Sequence, residues 1–236
     1  RKWHYQMIHH GIWDRDVSCA GVICDIPHDG KVIKAIAQPT KQGFVYVLDR
    51  TNGKPVWPIP EKKVPKGDVP GEWYSPTQPF PSAPPPFAKQ GVTEADLVDW
   101  TPQIKARARE IASHYVLAGL YTPPPLVNDK IFGALNLPGL QGGINWPGAS
   151  YDPETHLLYL FAKNQFEVTG VVQGPDGKVV QRGGQPAAGS ADADGGAFGG
   201  VASLKGAVGP GRGSNRRDGL TDPIVPGMIS IEGIPL

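Results

Sequence analysis

Two charged side chains, Asp14 and Lys41, have the residue types and the spacing to do chemistry together. A carboxylate can accept a proton, and an ammonium group can stabilise developing negative charge. Asp14 follows Trp13 in a His-rich loop, and Lys41 lies in the turn before an apolar strand that begins at Gly43. The spacing of 27 residues leaves room for two strands and a turn. Both side chains can therefore return to the same end of one sheet.

Alternating apolar residues bounded by turn residues predict a series of short strands around this pair. The predicted strands span 17–26, 31–38, 43–49, 131–137, 149–151 and 157–162. The first three, with turns at 27–30 and 50–53, make most of one four-stranded blade. Trp3 and Trp57 are 54 residues apart, and self-similarity near this period is typical of β-propellers.

A long insertion, predicted over 58–125, interrupts these strands. Its first part, 58–90, has so many prolines that it cannot be a sheet interior. It is either a flexible linker or, because its aromatic residues are too many for a solvated segment, an ordered excursion. Its second part predicts a helix from Thr101 to about Tyr115, with a hydroxyl cap, Pro at the first helical position and an apolar stripe. A later segment, 183–219, is dominated by Gly, Ala and Ser and is expected to be a loop.

The charge balance argues against two classes of partner. The chain has 23 Lys and Arg against 22 Asp and Glu, a formal net charge of +1. Such a balance favours neither nucleic acid nor an anionic membrane surface. The sequence has no apolar run long enough to span a bilayer and no recognisable signal peptide. We expect the chain to be an internal piece of a longer protein, in which membrane association through other segments is possible.

Several motifs in consistent order, from Trp3 to about Ala162, carry a family resemblance. They are HHGIWDRD, AIAQPTKQGFVYVLDRTNGKPVW, GEWYSPTQPFPSAPPPF and GGINWPGASYDPETHLLYL. These motifs resemble the quinoprotein dehydrogenases that use pyrroloquinoline quinone (PQQ), in particular the branch of membrane-type glucose and quinate dehydrogenases. The stretch from Asp49 to Trp57 resembles their tryptophan-docking motif, so we expect antiparallel four-stranded blades in which the ring of Trp57 is buried between neighbours against apolar strand residues. One departure is Gly11, which stands where the family commonly has an acid.

The resemblance implies an all-β fold, part of an eight-bladed β-propeller, with residues 1–236 inside one propeller domain. It implies hydride transfer from a sugar, polyol or cyclic alcohol to PQQ, with bound Ca²⁺ and with electrons passed to a quinone or a cytochrome. It also implies a periplasmic location. Because such an enzyme needs all its blades, the chain alone is expected to be inactive.

The resemblance assigns roles to individual residues. Asp14 would be the general base and would also lie against the metal, and Lys41 would donate hydrogen bonds to the quinone oxygens. Asn145 and Trp146 would line the cofactor pocket. Asp16 could add a second carboxylate to the metal.

Each residue has a simpler interpretation. Without the resemblance, Asp14 is typical of a turn or cap, Lys41 of a solvated turn, and Asn145 of a loop. A non-enzymatic propeller scaffold for protein interaction is the alternative function. An acid and a lysine placed together at one end of the sheet distinguish the enzyme from the scaffold.

Overall fold

Short strands make up most of the regular structure, as the alternation of apolar residues predicts. The computed structural model describes residues 1–173, 179–182, 230–231 and 234–235. The strands are β1 (Val22–His28), β2 (Lys31–Pro39), β3 (Val45–Asp49), β4 (Glu61–Lys63), β5 (Thr77–Pro79), β6 (Tyr115–Leu117), β7 (Gly133–Asn136), β8 (Ala149–Asp152), β9 (Leu157–Leu160), β10 (Glu167–Gln173), β11 (Val179–Arg182), β12 (Ser230–Ile231) and β13 (Ile234–Pro235). The described helices are α1 (Pro102–Ala112) and a 3-10 helix (Glu94–Asp96).

The chain divides into two compact units. The first unit consists of Arg1–Lys66, Trp73–Gln90 and Leu137–Gln165. The second unit consists of Gly67–Glu72, Gly91–Asn136 and the described residues from Phe166 onward. The predicted Gly-rich loop, 183–219, lies outside the described residues, and the predicted domain boundaries stay a prediction.

The first unit is built on the antiparallel sheet β1-β2-β3. Strand β1 begins at Val22 and not at residue 17 as predicted, because its pairing with β2 starts with Val22 opposite Ala37. Alternate residues of the sheet point to a common core, as the pleat requires. The core residues are Cys24, Ala35, Ala37, Val45 and Val47.

The antiparallel hairpin β8–β9 packs on this core. Its inward residues are Tyr151, Leu158 and Leu160, while Leu157 and Tyr159 point outward and are exposed. Trp57 is half-buried against the same core, consistent with the expectation that its ring packs on apolar strand residues.

Trp3 packs on the turn that follows β3. Its indole N–H donates to the carbonyl of Arg50 at 2.9 Å. Its ring lies so close to Gly53 that a Cβ added there would be 2.7 Å from ring atoms. Gly53 also has a φ of +77°, so glycine is required here both for the turn and for the ring.

The carboxylate of Asp49 organises this turn. It accepts hydrogen bonds from the backbone N–H and the hydroxyl of Thr51 at 2.8 and 2.6 Å, and from the amide of Asn52 at 2.8 Å. The Thr51 hydroxyl is the main reason why the pKa of Asp49 is lowered. A carboxyl with a lowered pKa stabilises the fold above its ordinary pKa and loses that contribution as the pH falls through the lowered value.

We therefore expect Asp49→Asn to destabilise the protein at neutral pH and to have a smaller effect in acid. The free energies of unfolding of the wild type and of Asp49→Asn, measured with urea from pH 7 downward, should converge below the ordinary Asp pKa of about 3.9. Asp129→Asn, at an exposed position, is the control and should leave the stability at pH 7 close to that of the wild type. A pH-independent difference between wild type and Asp49→Asn would contradict the expected role of the charge.

The Pro-rich segment of the first unit is an ordered excursion and not a flexible linker. Strands β4 and β5 pair antiparallel, with Lys62 opposite Gln78. Gln78 is fully buried, and its amide exchanges two hydrogen bonds with the backbone of His9, at 2.8 and 2.6 Å. The hydroxyl of Tyr46 lies 3.1 Å from the carbonyl oxygens of Met7 and Pro79. These contacts hold the start of the loop that carries Asp14.

The second unit combines α1 with the sheet β11-β10-β7-β6. The helix begins after Thr101, whose hydroxyl accepts from the N–H of Ile104 at 3.2 Å, as the cap pattern predicts. It ends at Ala112, earlier than the predicted end near Tyr115, because Tyr115 already belongs to β6. Strands β6 and β7 pair in parallel, which departs from the purely antiparallel blades that were expected.

Candidate functional site

The loop that carries Asp14 is anchored by the residues on either side of it. Trp13 is 5% exposed and Arg15 is 2% exposed, whereas the side chains of Asp14 and Asp16 are more than half exposed. The guanidinium of Arg15 donates to the carbonyl of Pro138 at 2.6 Å. Alternate residues thus point inward and outward, and the two carboxylates lie on the accessible side.

The backbone of Asp14 has a left-handed conformation, with a φ of +53°. This conformation is uncommon for residues other than glycine, although Asp and Asn tolerate it better than most. Its presence at the residue with the strongest chemical assignment fits the tendency of functional sites to hold unusual backbone geometry.

Lys41 lies in a tight turn between β2 and β3. The turn is closed by the N–H of Thr40, which donates to the carbonyl of Phe44 at 2.9 Å, and by the N–H of Gly43, which donates to that of Thr40 at 2.9 Å. The hydroxyl of Thr40 adds a hydrogen bond to Phe44 at 3.1 Å. The side chain of Lys41 is only 8% exposed, so the interpretation as a solvated turn lysine is wrong.

The structure brings the ammonium of Lys41 together with both carboxylates. Its Nζ lies 2.7 Å from Oδ1 of Asp16 and 3.4 Å from Oδ2 of Asp14. This arrangement has the closeness expected of two side chains that serve one ligand. A lysine so nearly buried needs a charged partner, and Asp16 is the nearer of the two.

The two carboxyls differ in their affinity for protons. Burial raises the pKa of Asp14, the neighbouring Asp16 carboxyl adds to this, and the charge of Lys41 opposes it. Burial also acts to raise the pKa of Asp16, but the hydrogen bond and charge of Lys41 outweigh it and lower that pKa. Asp14 is consequently the better proton acceptor of the pair.

The loop after β7 packs against Lys41. The N–H of Gly143 donates to the carbonyl of Lys41 at 2.9 Å. Gly142 lies against the Lys41 side chain so closely that an added Cβ would be 2.5 Å from Cβ and Cγ of the lysine. Gly142 also has a φ of +75°. This loop therefore limits where the lysine side chain can go.

We expect Gly142→Ala to displace Lys41 and to destabilise the fold. The left-handed backbone costs an alanine about 1–2 kcal/mol, and overpacking adds about 1–3 kcal/mol. Gly30→Ala is the matched control, because Gly30 has a φ of +72° but nothing within 4 Å of an added Cβ. Thermal unfolding should show a clearly larger loss for Gly142→Ala, and equal losses would contradict the close approach to Lys41.

Asn145 and Trp146 lie in the same loop but bond within it. The Asn145 amide donates to the carbonyl of Gln141 at 3.2 Å, and its oxygen accepts from the N–H of Trp146 at 2.9 Å. Trp146 is 86% exposed. These contacts match the interpretation of Asn145 as a loop residue, and a cofactor-binding role for either residue stays a prediction.

Sequence reasoning missed Arg15 and the pair Gly142–Gly143 as parts of the site. An arginine between two exposed acids gives no pattern that distinguishes it from a solvated residue, since only the fold buries it. The two adjacent glycines after Gln141 were a usable signal, because a Gly pair often marks a close backbone approach. Asp16 was considered as a metal ligand, and the structure pairs it with Lys41.

The donor types of this cluster fit a quinone cofactor and a hard cation. The ammonium of Lys41 can donate to anionic or carbonyl oxygens, and carboxylates are the ligands that Ca²⁺ prefers. Among the described residues, no group of three or more His, Cys, Asp or Glu side chains could hold a metal. Asp14 and Asp16 would therefore supply only part of a calcium shell, which takes about six to eight oxygens.

Residues 1–202 match the PQQ family, described as the glucose/ethanol/alcohol dehydrogenase β-propeller domain. Because the match covers most of the chain, the chain belongs to this family of β-propeller domains. The fold class expected from the sequence, part of a quinoprotein β-propeller, is thereby confirmed.

Three relatives illustrate the similarity. The glycerol dehydrogenase large subunit of Gluconobacter oxydans (strain 621H) is 35% identical over 161 residues, which cover 66% of this chain and 21% of that protein. The probable quinate dehydrogenase (quinone) of Xanthomonas campestris pv. juglandis is 37% identical over 159 residues, which cover 67% of this chain and 20% of that protein. The quinoprotein glucose dehydrogenase of Escherichia coli (strain K12) is 35% identical over 155 residues, which cover 66% of this chain and 19% of that protein. The chain thus spans about a fifth of the length of these relatives.

None of the helices in the described part of the chain has the length and apolar character needed to cross a membrane.

Proposed function

We propose that the protein carrying this chain is a PQQ-dependent dehydrogenase that oxidises a sugar, a polyol or a cyclic alcohol. The observation that carries the proposal is the nearly buried Lys41 ammonium, 3.4 Å from the Asp14 carboxylate. Family membership supports it, and so do the relatives named as glycerol, quinate and glucose dehydrogenases. A scaffold that only binds proteins has no need to hold a lysine and an acid in this way.

In this proposal Asp14 is the general base. Its carboxylate is accessible on one side and would take the proton of the substrate hydroxyl. Lys41 would hold the cofactor by donating from its ammonium to the quinone oxygens, where a fixed cation favours negative charge. PQQ, when bound, accepts the hydride.

We further propose that Ca²⁺ is the metal and that Asp14 is one of its ligands. Two neighbouring carboxylates beside a single ammonium leave net negative charge at this place, which favours a cation. Asn145 and Trp146 are proposed to line the cofactor pocket, because their loop also packs against Lys41 through Gly142.

The electron acceptor and the location complete the proposal, and the location rests only on the family resemblance of the motifs. Electrons would leave to a quinone, in line with the relative named as a quinate dehydrogenase (quinone), or to a cytochrome. The location would be periplasmic, with any membrane association made by other segments of the protein.

The test is reconstitution of the complete protein. Protein freed of cofactor is titrated with PQQ, with and without Ca²⁺, and turnover of aldoses, polyols and cyclic alcohols is followed with a redox dye as acceptor. We expect saturable PQQ binding and PQQ-dependent oxidation of at least one of these substrate classes. Absence of both binding and turnover would overturn the proposal in favour of the scaffold.

A further inference from the structure

The ammonium of Lys41, in the β2–β3 turn, faces two carboxylates at unequal distances. Nζ of Lys41 is at hydrogen-bonding distance from Asp16, 2.7 Å, and farther from Asp14, 3.4 Å. The distance to Asp16 is that of a strong charge-assisted hydrogen bond. The lysine side chain is 8% exposed, whereas the Asp16 side chain is 57% exposed.

We propose that Asp16 is a positioning residue that holds the Lys41 ammonium in place and so leaves Asp14 available to the substrate. This inference rests on the proposed function, since it assigns Asp16 a task within the PQQ site. Lysine has a long, rotatable side chain, and ordering it for the cofactor costs free energy at each binding event unless the protein has ordered it beforehand. The hydrogen bond to Asp16 fixes the position of the Lys41 ammonium before the cofactor binds.

The backbone around Asp16 is suited to this task. Arg15, immediately before it, is buried and bonded to the carbonyl of Pro138 at 2.6 Å. Gly142 lies against the stem of the lysine, since a Cβ added there would be 2.5 Å from Cβ and Cγ of Lys41. The lysine is thereby confined by Gly142 and held at its tip by Asp16. Asp14 is the farther of the two carboxylates, at 3.4 Å from the ammonium, so Asp16 takes the closer contact and leaves more of Asp14 accessible.

The assignment differs from a role for Asp16 as a second metal ligand. An oxygen of Asp16 accepts the hydrogen bond from the Lys41 ammonium at 2.7 Å. A metal ligand acts on the cation directly, whereas a positioning residue acts only through Lys41. This difference can be measured with a double-mutant cycle, which isolates the coupling between two residues.

The experiment uses the complete protein and the variants Asp16→Asn, Asp16→Glu, Lys41→Met and Asp16→Asn/Lys41→Met, with Asp129→Asn as the surface control. Two quantities are measured: the Kd for PQQ at fixed Ca²⁺, from titration of apo-protein, and the labelling of Lys41 by an amine-acylating reagent in apo-protein, from mass spectrometry. Thermal midpoints establish that each variant is folded. Labelling of the exposed Lys34 serves as the internal reference.

We expect Asp16→Asn to raise the Kd for PQQ about three- to tenfold, the cost of ordering one long side chain. It should also increase labelling of Lys41 relative to Lys34. In the Lys41→Met background the same substitution should leave the Kd unchanged, since there is no ammonium to hold. Asp16→Glu, which keeps the charge at an exposed position, should restore low labelling and most of the affinity.

Other outcomes overturn the inference in distinguishable ways. If Asp16→Asn weakens PQQ binding equally in both backgrounds, Asp16 does not act through Lys41, and a raised Ca²⁺ requirement would identify it as a metal ligand. Unchanged labelling of Lys41 in Asp16→Asn would likewise reject positioning, even if a poorly folded variant obscured the affinity. If the wild type binds no PQQ at all, the proposed function fails and this inference fails with it. In the first two cases the proposed function still stands.

Discussion

Asp14→Asn is expected to lower kcat by about 10²- to 10⁴-fold in the complete protein loaded with PQQ and Ca²⁺, the usual worth of a positioned general base. Asparagine keeps the shape of the side chain and can still offer an oxygen to a cation, but it cannot accept the proton of the alcohol. It also tolerates the left-handed backbone, with a φ of +53°, at this position. The fold and the bound cofactor should therefore survive the substitution.

The measurement is steady-state turnover at saturating substrate, together with the PQQ content of the purified variant. Asp129→Asn removes an exposed carboxylate in the second unit and should keep the wild-type kcat. A fall in kcat that merely follows a loss of PQQ would show that Asp14 binds and does not act as the base. A kcat close to that of the wild type would remove the assignment altogether.

Lys41→Met is expected to affect both cofactor binding and turnover. Methionine fills much of the space of the lysine stem but carries no charge and no donor. We expect the Kd for PQQ to rise about 10- to 100-fold, which corresponds to the loss of one hydrogen bond to a charged group, about 1.5–3 kcal/mol. Excess PQQ should restore occupancy but not kcat, because the cation also stabilises charge in the transition state.

Lys34→Met is the matched control, since Lys34 is an exposed lysine on β2, the strand that leads into the same turn. It should leave both Kd and kcat unchanged. If Lys41→Met left the affinity for PQQ unchanged and Asp14→Asn kept a normal kcat, both assignments would be abandoned. The scaffold function would then be the better account of this chain.

Local pattern was sufficient for the strands that carry the site. Strands β2 and β3 occur within a residue or two of their predicted bounds, because alternation of apolar residues and the turn at Lys41 both act locally. The helix cap at Thr101 was likewise predictable from the sequence, since its hydroxyl accepts a hydrogen bond from the backbone only three residues later. Strand β1 was predicted too long because its start depends on where β2 ends, which is not a local property.

Local pattern was insufficient for burial and partner choice. Lysines in turns are usually exposed to solvent, so the local sequence predicts an exposed Lys41. It is buried because the loop at Gly142, about a hundred residues later, folds onto it. Arg15 is buried for the same kind of reason, since its partner is the carbonyl of Pro138.

The sequence by itself determined the family and the blade-forming strands, and it predicted chemical roles for Asp14 and Lys41. These follow from residue types, local periodicity and the order of motifs along the chain. Only the tertiary structure decided that Lys41 is enclosed, that its nearest carboxylate is Asp16, and that Asn145 bonds within its own loop. Such contacts depend on which distant segments meet in space, and the free energy of a charge depends on what surrounds it more than on its neighbours in sequence.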